Sequence, residues 1–151
     1  QGTLTIRDLT VAGTSSFSGP VTASQLTVSN LTMSGNAILN VPNHISFSSG
    51  PSPGIARGNA LGNGGSVSIN GSDTSGTINV STGGSAAAGC YATVTFHQKF
   101  SNQPRITLGP INSGAGASQP YIGSLSQSGF SICAVTPPSN QSFAFDYFVT
   151  G

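Results

Sequence analysis

Gly65-Ser66-Val67-Ser68-Ile69-Asn70-Gly71-Ser72-Asp73-Thr74-Ser75-Gly76-Thr77-Ile78-Asn79-Val80-Ser81 reads as two short strands joined by a turn. Val67 and Ile69 alternate with Ser and Asn, and Ile78 and Val80 alternate with Thr, Asn and Ser. A period of two puts the apolar side chains on one face of an extended chain and the polar ones on the other. Asn70-Gly71-Ser72-Asp73 between them are hairpin-turn residues, because Gly, Asn and Asp tolerate the required backbone angles.

The same style continues toward the C-terminus. Cys90–Phe96 is expected to place Cys90, Ala92, Val94 and Phe96 on one face and Tyr91, Thr93 and Thr95 on the other. Arg105–Leu108, Tyr121–Leu125, Phe130–Val135 and Phe143–Val149 complete a set of about seven strands with turns between them. Gly or Pro interrupts the chain too often for long helices. The expected fold is all-β: an antiparallel, jelly-roll-like β-sandwich over residues 65–151.

Before it, Ser48-Ser49-Gly50-Pro51-Ser52-Pro53-Gly54 and the Gly-rich stretch 58–65 mark a linker, placed at residues 48–64. Residues 1–47 repeat an apolar-Thr-apolar triplet four times: Leu4-Thr5-Ile6, Leu9-Thr10-Val11, Leu26-Thr27-Val28 and Leu31-Thr32-Met33. Strands this short cannot bury an apolar face alone. They need the rest of the chain or other copies, so Leu4, Ile6, Leu9, Val11, Leu26, Val28, Leu31 and Met33 are the expected assembly residues of an N-terminal β-strand arm.

Charge is scarce. Four Lys/Arg and three Asp/Glu make 5% of the 151 residues, against about 25% in ordinary domains. Four scattered bases make no nucleic-acid footprint. No apolar run reaches the roughly 18 residues of a membrane span. The chain opens Gln1-Gly2-Thr3 without an initiator Met, which reads as a fragment or a processed form.

Acid–base chemistry has few candidates. Asp8, Asp73 and Asp146 are far apart in sequence, and Asp73 sits in the turn, where it is expected to accept backbone N–H bonds. No Gly-x-Ser-x-Gly elbow lies on a strand-to-helix turn, so no enzyme activity and no cofactor is expected. His44 and His97 lack the carboxylate or Cys partners of a metal centre, and the Asp73 turn lacks the carboxylates of a calcium loop. Asn30, Asn70, Asn79 and Asn140 head Asn-x-Ser/Thr triplets, a pattern that a Ser/Thr-rich chain meets by chance. Tyr91 and Tyr121, with Tyr147 and Phe100, are candidates for contact with a cell-surface glycan, against the alternative of core packing. Cys90 and Cys133 allow one disulfide, in keeping with an extracellular setting.

The Leu-Thr-Val-x-Gly style of residues 9–13, met again as Leu31-Thr32-Met33-Ser34-Gly35, resembles the repeats of trimeric β-structured stalks in phage tail fibres and bacterial surface fibres. The Gly65–Ile78 stretch resembles the start of a small β-domain found at the ends of such fibres, and Phe145-Asp146-Tyr147-Phe148-Val149 is similar to its last strand. The resemblance implies a structural, self-associating protein: secreted, on a cell surface or on a virion. The first expectation is a subunit of an extracellular filament that assembles by strand pairing or strand donation between copies. The alternative is a trimeric adhesin or tail-fibre tip whose C-terminal domain binds a receptor or glycan. Independently, a chain with one Lys has little with which to guard its sheet edges against another copy.

Overall fold

The computed structural model describes residues 9–47 and 50–151; Leu4, Ile6 and Asp8 lie outside the described residues. The chain divides into two units, residues 1–41 and 42–151.

The second unit holds all the strands of the described residues. These are β1 (Gly54–Arg57), β2 (Ser66–Gly71), β3 (Ser75–Ser81), β4 (Gly89–Thr95), β5 (Arg105–Pro110), β6 (Pro120–Ser126), β7 (Gly129–Ala134) and β8 (Ser142–Thr150). They form two four-stranded antiparallel sheets, ordered β1-β4-β7-β6 and β2-β3-β8-β5. The β2–β3 and β6–β7 connections are hairpins, and the others pass from one sheet to the other. A one-turn helix, Ser113–Ala117, follows β5, with the Asn112 side chain accepting from the Ala115 N–H at 3.1 Å.

Alternation produces the core. β8 reads Ser-Phe-Ala-Phe-Asp-Tyr-Phe-Val-Thr, and Phe143, Phe145, Tyr147 and Val149 all point inward, each at most 3% exposed. They meet Ile78 and Val80 of β3, Val94 of β4, and Phe130 and Ile132 of β7 in one apolar cluster. Burying a side chain such as Phe145 contributes about 1.5–3 kcal/mol. The rings pack at angles rather than face to face: Phe143 lies edge-on to Phe145 at 5.7 Å, and Phe130 tilts against Tyr147 at 5.9 Å.

The β2–β3 hairpin forms where alternation and turn residues place it. Gly71 and Gly76 face each other, with Gly71 at φ +146°. A Cβ at Gly76 would run into the Asn70 carbonyl and the Tyr147 hydroxyl, so the strand ends can close only on two glycines. Ser72 then ties the turn, accepting from Thr74 and Ser75 N–H at 3.3 and 3.4 Å.

Two expectations are corrected. Residues 48–64 are not a linker throughout. β1 pairs with β4, and a 3₁₀ turn, Asn59–Leu61, buries Ala60 and Leu61 completely. A four-residue edge strand holding one Ile is too short to show a period, so its Gly- and Pro-rich flanks dominated the reading. The alternation in β4 also breaks. The β4–β7 register shifts between Cys90 and Ala92, so Tyr91 is an extra residue that turns inward. Tyr91 is fully buried, whereas Cys90 is only half-buried.

Candidate assembly surface

The apolar-Thr-apolar arm is not strand within the described part of one chain. Residues 9–47 contain no strand, only isolated bends and a turn at Gly35-Asn36. Their apolar side chains lie in the open: Leu9 is 66% exposed, Leu26 69%, Leu31 61% and Ile38 86%. Val11, Val28 and Met33 are exposed too. An apolar side chain left in water forgoes about 25 cal/mol per Å² of burial. The same segment contains no Asp, Glu, Lys or Arg, so it lacks the charged face that ordinarily keeps an extended segment solvated.

The remaining candidates sit on the sandwich. Cys90 and Cys133 are joined by a disulfide, directly opposite each other on β4 and β7. A neighbouring glycine makes room for it. A Cβ at Gly123 on β6 would land on Cys133 Sγ, and β6 bulges at that point.

The aromatic group expected to contact a glycan does not form one patch. Tyr91 is core: it lies edge-on to Phe143 at 5.4 Å and stacks on Phe145 at 6.1 Å. Its hydroxyl is buried next to the Ser118 hydroxyl, which donates to the Ala115 carbonyl at 2.7 Å and keeps its lone pairs on the Tyr91 side, but no hydrogen bond of good geometry closes between them. Burial pushes the Tyr91 phenol up from its ordinary value. Tyr147 is buried as well and donates to the Ser72 carbonyl at 2.6 Å. Burial, and then the negative charge of Asp73, raise its pKa from 10.0 to about 12. Phe100 packs against Phe96 at 5.0 Å. Tyr121 alone of the four is exposed, on edge strand β6 opposite Cys133.

The two described carboxylates are engaged structurally. Asp73 accepts the backbone N–H of His97 at 2.8 Å and of Gln98 at 2.7 Å, one on each oxygen. It thereby clasps the β2–β3 turn to the segment after β4. Asp146 accepts from the Thr77 hydroxyl across the β3–β8 pair at 2.6 Å. Asp73 is thus engaged on both oxygens. His44 and His97 belong to no cluster of three metal-binding side chains among the described residues. Asn30, Asn70, Asn79 and Asn140 are all exposed.

Sequence reasoning missed Phe47. Its ring lies 5.5 Å from Phe148, on the outward side of β8, beside a cleft shared with Ser72, Asp73 and His97. A lone Phe ahead of a Pro/Gly stretch carries no period, so no sequence pattern pointed to it. No helix among the described residues is long and apolar enough to cross a membrane. Comparison with known proteins finds no matching family model, curated protein or solved structure.

Proposed function

We propose that this chain is a non-enzymatic structural subunit of an extracellular β-rich filament, in which the N-terminal arm becomes ordered strand by pairing with other copies. The observation that carries this reading is the row of apolar side chains in residues 9–47, exposed and without strand partners, in a segment free of charge. Short apolar strands gain stability only within a larger sheet, and nothing electrostatic opposes the approach of identical uncharged segments. The acting residues are Leu4, Ile6, Leu9, Val11, Leu26, Val28, Leu31 and Met33. The disulfide suits an oxidising compartment.

The sandwich already contains eight paired strands around a buried core. Pairing by the arm is therefore addition to existing structure, not completion of a core that lacks a strand. That complete core also favours a second reading, a trimeric fibre tip whose arms join one another and whose C-terminal domain binds a receptor or glycan. Tyr121 is the aromatic side chain that such a surface would offer.

The test is to remove residues 1–41 and compare assembly by sedimentation and negative-stain microscopy. The full chain forms filaments, and residues 42–151 remain folded and monomeric. Filaments of unchanged length from the truncated protein would refute the reading. Trimers that never extend would select the second one.

A further inference from the structure

Only two asparagines of this chain precede a glycine, Asn63 and Asn70. Asparagine is among the chemically labile residues, and before glycine it can modify itself. The backbone nitrogen of the glycine attacks Cγ of the asparagine side chain, a C–N bond forms, and the side-chain nitrogen leaves as ammonia. Water then opens the five-membered succinimide at either carbonyl, which leaves aspartate or isoaspartate. No reagent beyond water is consumed. Glycine favours the attack because it has no Cβ to hinder it. The attack also requires the peptide after the asparagine to turn out of the extended form, with its nitrogen free.

The fold treats the two pairs differently. Asn70 and Gly71 end β2 and face Thr77 and Gly76 in an unbroken ladder. Gly71 is enclosed: a Cβ there would run into Gly76 Cα and the Ser75 carbonyl. Asn63 is tied only by an isolated bridge to Gly84, its N–H donating to the Gly84 carbonyl at 2.8 Å. Gly64 follows in a turn at φ +76°, and both residues are exposed. A Cβ at Gly64 would meet nothing within 4 Å, and its N–H enters no backbone hydrogen bond among the described residues. The nucleophile and the water that completes the reaction have access at Gly64 and are hindered at Gly71.

A second observation singles out the same place. The Arg57 guanidinium donates to the Gly62 carbonyl at 2.8 Å, which brings a positive charge beside the residue that precedes Asn63. The attacking nitrogen must give up its proton, and a nearby positive charge favours the anion. The same charge favours the carboxylate that results.

We propose that Asn63-Gly64 is a site of spontaneous deamidation and isoaspartate formation, promoted by Arg57. It does not depend on the arm or on assembly. The change is large for this protein, because it adds an acid to a chain with three and takes the formal net charge from +1 to 0. The isoaspartyl form also inserts a carbon into the backbone where the Asn63 carbonyl packs against Gly83, a position with no room for a Cβ. That product therefore works against the bridge to Gly84, whereas aspartate leaves the backbone path as it was.

The test holds the full-length protein at mildly alkaline pH and follows both pairs by peptide mapping. Labelling by an isoaspartate methyltransferase separates the cyclic route from direct hydrolysis, which gives aspartate alone. Asn63 should convert several-fold faster than Asn70 in the native protein, with isoaspartate among its products, and the two rates should converge in urea. Equal rates in the native protein, conversion of Asn70 first, or an inert Asn63 while the urea-unfolded chain reacts would each overturn the proposal. Arg57→Gln, checked for native circular dichroism, should slow conversion of Asn63 several-fold and leave Asn70 unchanged. An unaltered Asn63 rate in that variant would overturn the part given to Arg57.

Discussion

Tyr147 and Asp73 form a small device in which one residue's role sets the other's chemistry. The phenol is held neutral by burial and by the carboxylate charge, and its pKa rises from 10.0 to about 12. A folded-state pKa above the unfolded one means that the native protein binds the extra proton between those values. The stabilisation is therefore complete below pH 10 and declines as pH climbs toward 12. Stability should therefore fall, and tyrosinate absorbance rise, within that pH window. Asp73→Asn should lower the Tyr147 ionisation only part of the way, because burial, the larger cause, remains when the opposing negative charge is gone. Asp73→Ala removes both acceptors of the His97 and Gln98 amides and should cost about 1–3 kcal/mol, read from the urea midpoint. Tyr91 differs in how its hydroxyl is satisfied. Its buried hydroxyl makes no hydrogen bond of good geometry, with Ser118 the group nearest to serving it, so Tyr91→Phe should leave stability unchanged or raise it by about 1 kcal/mol. A loss of more than that would show that the hydroxyl has a partner.

At the level of strands, the two bulges share a purpose. One turns Tyr91 into the core, and the other brings Gly123 under the disulfide. The bridge closes a 43-residue separation, for which chain entropy gives about 4 kcal/mol. The Cys90→Ala/Cys133→Ala double variant should lose about that much by thermal or urea unfolding, and Gly123→Ala should destabilise the intact protein by crowding the sulfurs. These bulges also mark where sequence reading stopped. Val67/Ile69, Ile78/Val80 and Phe143/Phe145/Tyr147/Val149 show an unbroken period of two, and their strands were legible within a residue or two. The inward turn of Tyr91 was not, because an inserted residue reverses parity without changing composition. β1 was hidden for a different reason: four residues hold too little pattern to stand out from glycine and proline. Of the candidate site, the apolar arm was plain from its repeated triplets.

For the molecule as a whole, scarcity of charge makes a quantitative claim. With 5% charged residues, the proposed self-association should depend little on ionic screening and should be strengthened by sulfate, which favours burial of apolar surface. Light scattering across a sodium chloride series should stay nearly flat, and a steep fall with salt would point to ion pairing instead. The strand order carries a kinetic meaning. β8 follows every other strand along the chain, yet it lies in the interior of its sheet, between β3 and β5. Neither neighbour can be satisfied until it arrives, and its partners on β3 lie some seventy positions upstream, as in Thr77 with Asp146. The sandwich must therefore close late, after a long search. The last strand made is thereby the one that commits the domain: a chain ending before Ser142 leaves β3 and β5 without their shared partner.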